Sequence, residues 1–101
     1  MILKPKKNLG QNFLTDEKII NLIVEIGNIN KKDQVIEVGP GTGSLTEKIL
    51  QKTPKELTVI EKDERLVNVL SRKFGNDIKI VNEDMMNISY EYLDKSNLII
   101  F

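Results

Sequence analysis

Val35-Ile36-Glu37-Val38-Gly39-Pro40-Gly41-Thr42-Gly43 decides the fold. A short β-branched strand runs straight into a loop with glycine at every second position, and an acidic residue, Glu37, stands just before the loop. β-Branched residues suit a pleated backbone. Gly39 ends the strand where the chain must turn sharply, Gly41 lets a ligand approach the backbone without meeting a Cβ, and Gly43 lets the next helix start close to the sheet. The dinucleotide fingerprint needs glycines spaced G-x-G-x-x-G. Here the third glycine comes one residue early and Ser44 occupies the fingerprint position. Pro40 also removes one backbone N–H, so the loop is poor for a diphosphate. A Walker loop is excluded, because no Gly-Lys-Ser/Thr follows.

Outward from this loop the chain alternates. Strand-like runs begin near Val35, Leu57, Ile78 and Leu98. Between them, Leu45, Ile49 and Leu50, then Leu66, Val69, Leu70 and Phe74, recur at helical spacing. Strands alternating with short helices predict βαβ units and a parallel sheet. The strand runs are near-continuous in apolar residues, as where both sheet faces are covered. Asp63 is placed to cap the second crossover helix, and Gly75-Asn76 to end it. Upstream, Thr15 or Asp16 caps a helix carrying Ile19, Ile20, Ile23, Val24 and Ile26, with Gly27 or Asn28 as its stop. Residues 1–14 form an irregular arm, and Ile88 to Leu93 a short helix or turn. The expected fold is therefore α/β and Rossmann-like: an incomplete sheet of four parallel strands with crossover helices. Asn97-Leu98-Ile99-Ile100-Phe101 ends the sequence inside an apolar strand, and the expectation is an amino-terminal part of a longer protein.

Two further acidic positions complete a ligand pattern. Glu61 closes Thr58-Val59-Ile60-Glu61, 22 residues after Gly39, where a carboxylate accepts from both hydroxyls of a ribose. Glu83-Asp84 follows the third strand; a carboxylate there accepts from an adenine amine, with Met85 against the ring. Asp84 alone reads equally as a turn or cap residue, and Met86 as core filling. An adenosine half and a zwitterionic half, without a diphosphate, describe S-adenosylmethionine (SAM).

Composition narrows the rest. Forty per cent apolar and thirty per cent charged residues over 101 positions describe one small globular domain rather than a disordered chain. The zero net charge hides an asymmetry: residues 1–32 carry six lysines against Asp16, Glu17 and Glu25, while the remainder carries nine basic and twelve acidic residues. Without cysteine or histidine there is no disulfide, thiolate metal site or imidazole base. No apolar run approaches the ~20 residues of a membrane span, and no signal-peptide core opens the chain. A reducing, cytoplasmic setting is expected.

Gly10-Gln11-Asn12-Phe13-Leu14, Glu37 to Thr46, Val59-Ile60-Glu61-x-Asp63 and Glu83-Asp84-Met85 together resemble the KsgA-type ribosomal RNA adenine N6-dimethyltransferases, relatives of the erythromycin-resistance methylases. The resemblance implies a SAM-dependent methyltransferase sheet whose strand order begins 3-2-1-4. It implies that Gln11, Asn12 and Leu14 border the methionine end of SAM. Gly39, Gly41 and Gly43 line its carboxypropyl and sulfonium region, Glu61 binds the ribose, and Asp84 with Met85 holds the adenine. The family's Asn-Leu-Pro-Tyr motif, which orients the target adenine, lies just beyond the fourth strand, so no catalytic residue is expected in residues 1–101. Residues 1–14 would be a basic arm and 15–101 the first portion of the methyltransferase domain, acting on small-subunit ribosomal RNA. Thr42, Ser44 and Leu45 favour that branch over a 23S ribosomal RNA methylase. A nicotinamide-cofactor fragment and an RNA-binding piece working through its basic arm remain as alternatives. Ile99, Ile100 and Phe101 would lie at a sheet edge short of cover, which predicts weak self-association.

Overall fold

The computed structural model describes residues 16–89 and 97–101. Its elements run α1 (Glu17–Gly27), β1 (Gln34–Val38), α2 (Ser44–Gln51), β2 (Glu56–Ile60), α3 (Glu64–Phe74), β3 (Lys79–Val81) and β4 (Leu98–Ile100), with 3-10 turns at Gly75–Asp77 and Met85–Asn87. The four strands form one sheet in the order β3-β2-β1-β4, all pairs parallel, with Val35 opposite both Leu57 and Ile99.

Local chemistry sets the helix ends. Asp16 caps α1 by accepting from the N–H groups of Lys18 and Ile19, which would otherwise lack intrahelical partners. Asn28 ends α1 in the left-handed region, at φ 50°, a conformation asparagine tolerates. Gly27 lies inside the helix: a Cβ there would sit 2.5 Å from the Phe101 ring, so a small residue lets α1 close onto the end of β4. Asp63 caps α3 through the Arg65 N–H, and Gly75 ends it at φ 53°. A 3-10 turn spans Met85–Asn87, ahead of the short helix or turn expected over Ile88 to Leu93; residues 90–96 lie outside the described residues.

Period-two alternation assigns the strands' two faces. Val35, Leu57 and Val59 pack with Ile20 and Val24 of α1, Leu45 and Ile49 of α2 and Leu70 of α3 in one core. All three helices therefore cover the same face. The other face is apolar as well: Ile36 and Ile60 are buried, and a cleft of about 430 Å³ runs along it past Thr58, Val81 and Ile88. Ion pairs from Lys48 to Glu17 and from Lys52 to Glu25 stitch α2 to α1 at the surface, each worth little by itself. The edge is better covered than expected, because Ile99 and Phe101 pack against the core and only Ile100 stays exposed. No helix among the described residues is long and apolar enough to cross a membrane.

Candidate ligand-binding rim

The carboxyl ends of β1, β2 and β3 open onto one cleft of about 210 Å³, lined by Val38, Gly39, Ile60, Glu61, Lys62, Glu83, Asp84 and Met85. Open parallel sheets bind ligands at this end, beyond the strands. The parallel ladder brings these residues together. The Gly39 N–H donates to the Ile60 carbonyl (2.9 Å) and the Glu61 N–H to the Val81 carbonyl (3.0 Å), so the three strand ends stand level. Four of the residues expected from sequence, Gly39, Glu61, Asp84 and Met85, thus share a single site.

Each carboxylate is oriented by its own backbone. Glu61 is only 7% exposed, and its Oε2 accepts from the Asp63 N–H at 3.0 Å. This bond fixes the side chain while Oε1 remains to accept from a ligand. Asp84 Oδ1 accepts from the Met86 N–H at 2.9 Å and caps the 3-10 turn. Asp84 thus caps the turn while also lining the cleft. Val38, Ile60 and Met85 supply an apolar lining between the acids, as small-molecule sites commonly do.

The glycine loop divides into two parts. Gly39, Gly41 and Gly43 all have positive φ, at 65°, 60° and 96°. A Cβ at Gly39 or Gly41 would meet nothing within 4 Å, whereas one at Gly43 would lie 2.5 Å from the Phe74 ring. The space beside Gly43 is thus taken by α3, through Phe74 and Leu70, rather than by the sheet, and Gly43 is buried and not part of the cleft's lining. The Gly43 N–H donates to the Pro40 carbonyl. With Pro40 lacking an N–H and those of Gly39 and Gly43 bonded within the protein, few donors remain to surround a diphosphate.

Beneath the loop sits a buried acid. Glu37 is 2% exposed and accepts a short hydrogen bond from the Thr46 hydroxyl of α2. Burial pushes its carboxyl up from 4.5 to about 7, and the Thr46 bond offsets part of that rise. It ties the end of β1 to the first turn of α2, across the loop.

Met86 is not core filling. It is 83% exposed, because the 3-10 turn presents it outward while Met85 reaches the cleft. Gln11, Asn12 and Leu14 lie outside the described residues. Glu83, the other acid of the expected Glu83-Asp84 pair, also lines the cleft, and Lys62, Val38 and Ile60 line it without having been expected; their signal was adjacency to Glu61 and Gly39 at strand ends.

An open parallel sheet with a side-chain-free turn and two carboxylates on its carboxyl rim defines a nucleoside-binding Rossmann-like protein. The chain belongs to the ribosomal RNA adenine dimethylase family, whose model matches residues 2–101. It is 46% identical over its whole length to "Ribosomal RNA small subunit methyltransferase A" of Pelagibacter ubique (strain HTCC1062), covering 38% of that protein. To the protein of the same name from Sulfurihydrogenibium sp. (strain YO3AOP1) it is 42% identical, with 96% of this chain and 39% of that one covered. It therefore spans about two fifths of the length of these curated relatives. Among solved structures, a dimethyladenosine transferase from Plasmodium falciparum matches 77% of this chain and 30% of its own at TM-score 0.69 and 27% identity. The 23S rRNA methyltransferase ErmE matches 72% of this chain and 30% of its own at TM-score 0.66 and 31% identity.

Proposed function

We propose that this chain is the donor-binding part of a SAM-dependent methyltransferase that modifies adenosine N6 in small-subunit ribosomal RNA. One observation carries the reading: Glu61, Asp84 and the turn at Gly39 converge on a single cleft at the sheet's carboxyl rim. The site fits SAM by its donor set. Glu61 offers a free carboxylate oxygen to the ribose hydroxyls, Asp84 a carboxylate to the adenine amine, and Val38, Ile60 and Met85 apolar surface to the base. The loop, poor in free N–H donors, suits a sugar–sulfonium link, which carries no anion, better than a diphosphate. Gly41 and the arm residues Gln11, Asn12 and Leu14 are assigned to the methionine end, and Gly43 to support of the loop.

SAM supplies an electrophilic methyl group when bound. The protein's task on this side is orientation, which lowers the entropic part of the barrier. Glu61 and Asp84 fix the two ends of the adenosine, and the exclusion of side chains at Gly39 and Gly41 leaves the donor's reactive end unobstructed. Small-subunit specificity is supported by the names of the relatives at 42–46% identity, and a ribosomal substrate is consistent with a cytoplasmic setting. Residues 1–14 serve as a basic arm, and residues 15–101 as the first portion of the methyltransferase domain. Exposed Ile100 on β4 supports weak self-association; sedimentation velocity is expected to show a concentration-dependent shift that Ile100→Lys removes.

Calorimetry with SAM and NAD in parallel tests the donor assignment. SAM is expected to bind and NAD not; the reverse order overturns it. Methyl transfer to undermethylated small ribosomal subunits by the protein carrying this chain tests the acceptor, and labelling confined to large-subunit RNA would reassign it.

A further inference from the structure

Asn82 stands between β3 and the Glu83-Asp84 wall of the cleft, and its side chain reaches across to β2. Its Nδ2 donates to the carbonyls of Glu61 (2.9 Å) and Lys62 (3.3 Å). Both partners are acceptors, so the amide nitrogen must be the atom that faces them. The Glu61 N–H donates to the Val81 carbonyl, and residues that follow on both segments line the cleft. The two walls are Glu61-Lys62 on one side and Glu83-Asp84-Met85 on the other. Asn82 bonds to the first wall and is covalently joined to the second.

We propose that Asn82 is a positioning residue that sets the width of the adenosine cleft, holding the ribose-side carboxylate at a fixed distance from the base-side carboxylate. The inference rests on the SAM reading above. Asn82 is exposed, so its bonds do not rescue a buried polar group, and water can replace them in the free protein at little cost. Their consequence is geometric. A ligand that must touch both walls at once loses affinity when the walls are free to separate; a ligand fragment that touches neither does not.

The test uses Asn82→Ala and the near-isosteric Asn82→Asp in the protein carrying this chain. The latter sets a carboxylate against two carbonyl oxygens. The dissociation constants of SAM and of 5′-methylthioadenosine are expected to rise about fivefold in the alanine variant and more in the aspartate variant. Competition by free methionine should be unchanged, and so should the thermal midpoint of the alanine variant. In turnover, KM for SAM rises while kcat holds. Affinity within twofold of wild type in both variants overturns the proposal, as does a loss shared equally by methionine or matched by a drop in thermal midpoint. Failure of the wild type itself to bind SAM overturns the functional reading, and this inference with it.

Discussion

Glu37 and Glu61 make an instructive pair. Both are acids buried at the ends of neighbouring strands, 2% and 7% exposed, yet they belong to regions with different work. Glu37 lies under the glycine loop, where a hydroxyl from α2 meets it and burial raises its carboxyl to about 7. Glu61 lines the cleft, where a backbone N–H holds one of its oxygens. Burial alone does not mark a functional acid; the partner does. A side-chain partner inside the core makes Glu37 a brace, whereas a backbone partner leaves Glu61 oriented and unfinished.

The largest effect should come from the cleft. On the proposed reading, Glu61→Ala removes the acceptor of both ribose hydroxyls. Charge-assisted hydrogen bonds contribute about 1.5–3 kcal/mol each, so SAM affinity should fall by about 4 kcal/mol, roughly a thousandfold. Folding stability should drop by only about 1 kcal/mol, the cost of leaving the Asp63 N–H to water. Calorimetry and urea unfolding on the same variant separate the two. A variant that keeps SAM affinity but loses most of its stability would make Glu61 a brace like Glu37, and the contrast would dissolve.

Glu37 should respond to pH instead. Burial lifts its folded carboxyl to about 7 from an ordinary value of 4.5. Below about 4.5 the folded and unfolded chains both hold the proton. Between about 4.5 and about 7 the folded chain holds it and the unfolded chain does not, so stability falls as pH rises through that window and levels above it. The span amounts to something on the order of 3 kcal/mol. Glu37→Gln keeps a partner for the Thr46 hydroxyl and cannot titrate. Subtracting the variant's urea-unfolding curve from that of the wild type should isolate the slope, with the glutamine variant the more stable at pH 8. A flat difference from pH 5 to pH 8 would show that Glu37 stays ionised in the fold.

Much of this division was legible in the sequence, and the rest was hidden for identifiable reasons. The β-branched runs at Val35, Leu57 and Leu98 and the caps at Asp16 and Asp63 are local signals, and each element formed where local chemistry placed it. Glu61 and Asp84 were legible because strand ends in a parallel sheet converge by topology. Asn82 and Phe74 act through contacts 20 and 31 residues away in sequence, and no local pattern announces such distant contacts. Met86 was misjudged because the 3-10 turn after Asp84 leaves it 83% exposed, while Met85 lines the cleft where the sequence placed it.

The glycine loop carries the same contrast within five residues. Gly41 and Gly43 both have positive φ, so an alanine at either suffers the same kind of backbone strain, about 1 kcal/mol. They differ in surroundings: open space beside Gly41, and the Phe74 ring 2.5 Å from a Cβ at Gly43. Ring and methyl cannot share that space, and overpacking costs about 1–3 kcal/mol. Gly43→Ala should therefore destabilise the fold by about 2 kcal/mol more than Gly41→Ala, with strain cancelling in the comparison. Gly41→Ala should weaken SAM binding more for each unit of stability lost. Phe74→Leu in the Gly43→Ala background should return part of the stability, because it withdraws the ring edge that the methyl strikes. Equal denaturation midpoints for the two alanine variants would mean that α3 yields freely, and that Gly43 keeps space for a ligand rather than for Phe74.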